Sequence, residues 1–325
     1  MTQQTAPARP APGDTAPPTR WSAWHLHLAS NAPSMLDRVA RDVIGPTVRS
    51  LGGAPWFFIR YWQGGPHLRL RVGDLSPTEY DRVERLLRER LETAGQPVAE
   101  ESRISEEAYR SEARLLARNE SGGDRDVQAL HPPGVHRAVY EPETERYGGA
   151  GLMPRTERLF QLSSELVLAL LPHVSSPQAR SVLALRATVS AAAALGGPAE
   201  QAAFYTNSKA AWRAWASEFG CTEGQLDEMC RVTKGAAKPV DPTQHGPFGA
   251  WHTALSELVE AVRATTATVP GQILVSHVHM FHNRLGRSLF DELRTYAWLA
   301  DAFPSAEEPA AFPHGGGTAA PGRTR

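Results

Sequence analysis

The stretch FFIRYWQGGPHLRLR, Phe57 to Arg71, crowds three arginines and a histidine around a single Gly-Gly-Pro turn. Alternating apolar and basic residues on either side of that turn predict a β-hairpin. Side chains alternate faces along a strand, and directly opposed residues share a face. With the turn at Gln63-Gly64-Gly65-Pro66, Trp62 is expected opposite His67, Arg60 opposite Arg69 and Phe58 opposite Arg71. The other face then pairs Tyr61 with Leu68, Ile59 with Leu70 and Phe57 with Val72, an apolar surface suited to a core. Opposed like charges destabilise a sheet by up to about 1 kcal/mol. Such a face calls for an anion, either a glutamate of the protein or a ligand.

Outward from the hairpin, WSAWHLHLAS reads as a strand. APSMLDRVARDVIGPTVRSL has helical spacing, with Ser34 as its N-cap and Pro46 dividing it. After the hairpin, SPTEYDRVERLLRERLETAG opens with a capping-box pattern and closes at Gly95. A further strand near VAEESRIS or HRAVYEP completes a ferredoxin-like unit in an α+β fold. Beyond Pro154 the i, i+3, i+4 apolar spacing predicts helices almost throughout, a mainly helical layer over residues 154–303. One folded unit is expected over 21–303, its α+β part at 21–150. The Pro-, Gly- and Ala-rich ends, residues 1–20 and 304–325, are expected to be disordered tails.

The chain has 325 residues, 41% of them hydrophobic, and a formal net charge of −1. That balance argues against a general polyanion binder, so any basic site is local. Cys221 and Cys230 form neither a disulfide framework nor a zinc knuckle and suit a reducing cytoplasm. No signal peptide or membrane span is visible. Nor is there a dinucleotide fingerprint, a Walker loop, a G-x-S-x-G elbow or a plausible cysteine nucleophile.

Two further stretches carry chemistry. In YEPETERYGGAGLMP, Tyr140 to Pro154, three glutamates precede Arg146, and Gly148 and Gly149 permit close backbone approaches. Its acids, Glu141 and Glu143, either neutralise the hairpin arginines or orient Arg146 beside Arg69 and Arg71 in a carboxylate clamp. In SHVHMFHNRLG, Ser276 to Gly286, the three histidines invite a metal, but residues two apart on a helix diverge by about 200°, so His277 and His279 cannot share a face. His279 with Asn283 one turn later instead positions an imidazole for proton transfer.

These three stretches, in this order, resemble the lantibiotic dehydratase C-terminal family, also called thiopeptide-type bacteriocin biosynthesis proteins. The likeness runs from WSAWHLHL to the last helix. In nisin-type dehydratases the corresponding domain follows a large glutamylation domain; its absence from this sequence implies a separate glutamylation partner that uses glutamyl-tRNA. The resemblance implies that the protein expels glutamate from esterified Ser or Thr of a precursor peptide, leaving dehydroalanine or dehydrobutyrine. The arginines of the family's H-x-R-x-R strand fall on Arg69 and Arg71, that of its R-Y-G-G loop on Arg146, and the histidine of its S-x-x-H-M motif on His279. Around these four, Arg60, His67, Tyr147, Ser276, Asn283 and Arg284 are expected near the substrate, Arg60 and His67 in supporting roles. No metal or redox cofactor is required, and no direct contact with nucleic acid is expected. Free-standing relatives join two dehydroalanines in a formal [4+2] cycloaddition, which is the alternative enzyme reading. A non-catalytic peptide-binding subunit is the third.

Overall fold

A computed structural model describes residues 19–121, 127–174, 176–231, 241 and 243–305. The expected tails lie outside these, apart from residues 19–20 and 304–305. The chain opens with β1 (Trp21–His27) and a divided helix, α1 (Pro33–Val39) and α2 (Gly45–Arg49), joined by a π-helical turn over Ala40–Ile44. Pro46 sits in the first turn of α2, where its missing N–H costs nothing. Pro33 likewise begins α1, so Ser34 is not the cap; its hydroxyl donates to Glu101 instead. The hairpin follows as β2 (Trp56–Tyr61) and β3 (His67–Gly73), then α3 (Pro77–Ala94), α4 (Glu106–Ser121) and β4 (Gly134–Ala138). Ser76 and Glu79 close the capping box at the start of α3.

The four strands form one antiparallel sheet in the order β2-β3-β1-β4. The last strand comes from the second of the two expected places and begins two residues earlier, at Gly134. VAEESRIS forms no strand. Its Glu101 is buried, bonded by both Arg38 Nη atoms, by the Ser34 hydroxyl and by the Val98 amide. These donors, Arg38 first, hold the Glu101 carboxyl down at about 2, from an ordinary value of 4.5. A depressed carboxylate pKa stabilises the fold above the unfolded value and is lost as pH falls through the folded one. Acid unfolding between pH 4.5 and about 2 is therefore expected to flatten in Glu101→Gln, followed by circular dichroism.

The hairpin register differs by one residue from the sequence expectation. Tyr61 pairs with His67, Ile59 with Arg69 and Phe57 with Arg71. Trp62 joins the loop, its carbonyl accepting from the Gly65 amide at 2.9 Å, and Gly64 and Gly65 take positive φ of 82° and 99°. An odd, five-residue loop in place of four shifts every cross-strand partner. Arg60 consequently sits on the opposite face from Arg69 and Arg71, and the opposed arginine pair does not form. Phe58, Leu68, Leu70, Trp24 and Leu26 pack with Val83 and Leu87 of α3 in the core.

The second half is helical: α5 (Met153–Leu170), α6 (Pro177–Ala192), α7 (Pro198–Glu218), α8 (Glu223–Cys230), α9 (Gly249–Thr265), α10 (Pro270–Leu285) and α11 (Leu289–Ala302). A single cluster of buried side chains runs from Trp24 and Leu70 through Phe160 and Trp251 to Phe281. The protein is thus mixed and mostly helical, with one small sheet. Among the described residues no helix is long and apolar enough to cross a membrane, and Cys221 and Cys230 are free thiols.

Candidate active site

The sheet face away from α3 carries the basic residues. Strand alternation and cross-strand pairing place His25 beside Arg69, His27 beside His67, and Ala23 beside Arg71. The small Ala23 leaves room for the guanidinium of Arg71, which is 5% exposed. Its Nε and Nη1 are buried and find no acceptor to donate to among the described residues. Burial, and then the charge of Arg69, push its pKa down to about 9. Buried guanidinium N–H groups without acceptors are costly, so this position demands an anion. Arg69 lies 3.5 Å over the Tyr61 ring, a cation–π contact, and its Nε donates to His67 Nε2 at 3.1 Å. His67 in turn donates from Nδ1 to the Gly65 carbonyl, 2.8 Å away, which fixes the tautomer that receives Arg69. Burial lowers His67 to about 2, so the ring is neutral.

The second group is built on α10. Ser276 and His279 are one turn apart and share a face. Arg146 reaches this face from the loop after β4, donating from Nε to Ser276 Oγ at 3.2 Å and from Nη1 to Glu143 at 3.1 Å. The loop can approach because residue 148 is glycine: its φ is +83°, and a Cβ there would lie 2.6 Å from Ile273 Cδ1. Gly148→Ala is expected to lower stability by about 1–3 kcal/mol, from left-handed backbone strain and overpacking, and to loosen Arg146; a thermal melt with a peptide-binding titration measures both.

His279 donates from Nδ1 to Glu292 Oε2 at 2.9 Å, because a carboxylate can only accept. Glu292 is 1% exposed, and Trp212 covers the imidazole at 5.2 Å between ring centroids. With Nδ1 engaged, Nε2 keeps the lone pair. That is the arrangement of a general base oriented by a carboxylate. Burial works against the charge of Arg146, and the carboxylates of Glu143 and Glu292 offset it.

The aromatic layer connects these two groups. Arg71 lies 5.7 Å from the Tyr140 ring, Tyr140 meets Phe57, Phe57 meets Phe160, and Phe160 meets Tyr147 beside Arg146. Tyr147 itself is buried, which raises its phenol to about 12. Of the two rival acids, Glu143 pairs with Arg146 within its own loop and Glu141 is exposed.

The remaining predicted residues have structural partners. Asn283 bonds both the amide and the carbonyl of Arg60, at 2.9 and 3.0 Å, and so clips α10 to β2. Fully buried Arg284 donates to the Phe58 carbonyl, Ser164 Oγ and the Met280 carbonyl. Arg60 bonds Asp37 and the Arg284 carbonyl. His277 and His282 face other surroundings than His279: the first lies against Tyr147 and Phe160, the second beside Thr188 Oγ at 3.0 Å. Sequence reasoning missed Glu292, Trp212 and the histidines of β1, although strand alternation in WHLH already sets His25 and His27 on one face.

A family model described as lantibiotic biosynthesis dehydratase C-term matches residues 21–303. No curated protein matches the chain. Among solved structures, the fold is similar to the pyridine synthase TbtD from thiomuracin biosynthesis, with a TM-score of 0.64 at 19% identity, covering 87% of this chain and 97% of that one. It is also similar to the tRNA-dependent lantibiotic dehydratase MibB from Microbispora sp. 107891, with a TM-score of 0.54 at 20% identity, covering 91% of this chain. The chain spans 28% of MibB.

Proposed function

Because the chain belongs to the lantibiotic biosynthesis dehydratase C-terminal family, we propose that it eliminates glutamate from glutamylated Ser or Thr residues of a ribosomally made precursor peptide. The observation that carries this reading is the buried guanidinium of Arg71, with Nε and Nη1 lacking an acceptor among the described residues, next to Arg69. Such a pair matches a carboxylate bidentately. The three stretches that resemble the family's motifs carry both arginines, Arg146 and His279, and each of the four side chains has a geometry that fits a role. His279 Nε2 takes the Cα proton of the esterified residue. The released electron pair forms the Cα=Cβ double bond as the Cβ–O ester bond breaks, and glutamate departs as a carboxylate held by Arg69 and Arg71. Arg146 offsets the enolate-like charge on the neighbouring carbonyl. Ser276 positions Arg146, and the imidazole–Glu292 bond stabilises the imidazolium that forms.

This reading includes a separate glutamylation protein as partner, cytoplasmic location and lyase chemistry. It also treats the strand-helix-strand-strand-helix-strand half as a ferredoxin-like module, supported by the sheet order. The second reading is the [4+2] cycloaddition of two dehydroalanines. Its support is the end-to-end match to a pyridine synthase. Offering purified protein two peptides, one glutamylated and one already carrying two dehydroalanines, separates them. Loss of one glutamate per ester from the first supports elimination. Conversion of the second alone supports cycloaddition.

A further inference from the structure

The most unusual cluster beside the proposed elimination machinery, which it shares only through His67, is a pile of imidazoles at the end of the basic face. His25 and His27 project from β1, His67 from β3 and His136 from β4, while exposed His131 reaches in from the preceding loop. Ring centroids lie 4.3 Å apart for His27 and His67, 4.9 Å for His25 and His67, and 4.8 Å for His27 and His131. One ring nitrogen from each of His25, His27 and His67 lies within 4.8 Å of the others.

We propose that His25, His27 and His67 form a binding site for a divalent transition metal of the zinc class. Two residues alternating on one strand and a third directly opposite on its neighbour present three imidazoles from a rigid sheet. That is the donor set of zinc sites with an open fourth position. Among the described residues His27 Nδ1 and His25 Nε2 are buried without a hydrogen-bond partner, and His27 is 4% exposed. Nδ1 of His67 bonds the Gly65 carbonyl at 2.8 Å, which leaves Nε2 to face His25 and His27. Metal-binding histidines are normally oriented by such a bond from the second ring nitrogen. Zn–N bonds of about 2.0–2.1 Å bring ligand nitrogens to roughly 3.4 Å from one another, a closure that side-chain rotation supplies.

The charge of Arg69 and Arg71 beside the rings works against a bare cation and favours an anionic fourth ligand, hydroxide or a carboxylate. Ligation at His67 Nε2 displaces the Arg69 Nε bond to that atom. Metal occupancy and the present Arg69 position are therefore exclusive, which makes the site a control point for the arginine pair. The site stands whether or not the protein performs elimination.

The test is a titration of chelator-stripped full-length protein, first with Co2+ and then with Zn2+. One equivalent of Co2+ is expected to give the visible absorption of a low-coordinate nitrogen site, and Zn2+ to displace it. His25→Gln and His27→Gln are each expected to weaken Zn2+ binding by at least about tenfold, the scale already reached by loss of a supporting residue. His245→Gln, at the other close histidine pair, stacked on His252 at 3.7 Å, is expected to leave it unchanged. Absence of a stoichiometric site, or binding that survives both β1 substitutions, overturns the proposal. Should those variants fold poorly, histidine-selective 15N spectra of the wild-type protein decide: three rings shifted by one equivalent of Zn2+ uphold the site, and fewer overturn it.

Discussion

Replacing His279 by alanine is expected to slow glutamate release by about 10²- to 10⁴-fold, the usual contribution of a positioned general base. Glutamylated peptide then accumulates, which mass spectrometry of the reaction reads directly. The expectation rests on the Nδ1 bond to buried Glu292, which fixes the tautomer and leaves Nε2 as the basic atom. Glu292→Gln keeps the volume and an acceptor but removes the negative charge that stabilises the imidazolium, so a smaller loss, confined to kcat, is expected. A structural role for the pair would instead lower the melting temperature of both variants and leave the rate of the folded fraction unchanged.

The second large effect concerns stability. Asp37 in α1 bonds Arg60 Nη2 at 2.7 Å and also the guanidinium of Arg180 in α6. Those two arginines donate onward to the carbonyls of Arg284 and Leu285 at the end of α10. A single carboxylate thus ties α1, β2, α6 and α10 together. Asp37→Ala leaves two nearly buried guanidiniums facing each other without an anion. Breaking a buried pair on one side costs about 3–5 kcal/mol, which for a chain of this size lowers Tm by on the order of 10 °C. Calorimetry of Asp37→Ala against wild type checks this. Asp37→Asn, which restores hydrogen bonds but not charge, is expected to fall between them.

How much of this was legible beforehand depends on the range of the interaction. The hairpin, the capping box at Ser76 and the run of helices after Pro154 are set by neighbours a few residues apart, and the sequence patterns locate them. The hairpin register was missed by one because Trp62 entered the loop, a decision made by the conformations of Gly64 and Gly65 and not by the alternation itself. That slip moves Arg60 to the other face and turns it from a partner of Arg69 into a partner of Asp37. Polar residues inside a motif also mislead: Asn283 and Arg284 sit among site residues, yet their side chains satisfy backbone groups of β2. Glu292, and the meeting of the β1 histidines with His67, were hidden for the opposite reason. Helix packing brings Glu292 to His279, and the sheet order β3-β1-β4 brings His25 and His27 to His67 and His136. Neither adjacency is written in local spacing.

The central claim is that this chain breaks the Cβ–O bond of a glutamyl ester by removing the Cα proton. Its most direct measurement follows a glutamylated precursor deuterated at Cα through reaction with the purified protein, recording peptide mass and free glutamate together. The account predicts one glutamate released and one deuterium lost for each dehydroamino acid formed, with both losses suppressed in Arg71→Ala and His279→Ala. A peptide that binds the protein yet keeps its glutamate and its deuterium contradicts it.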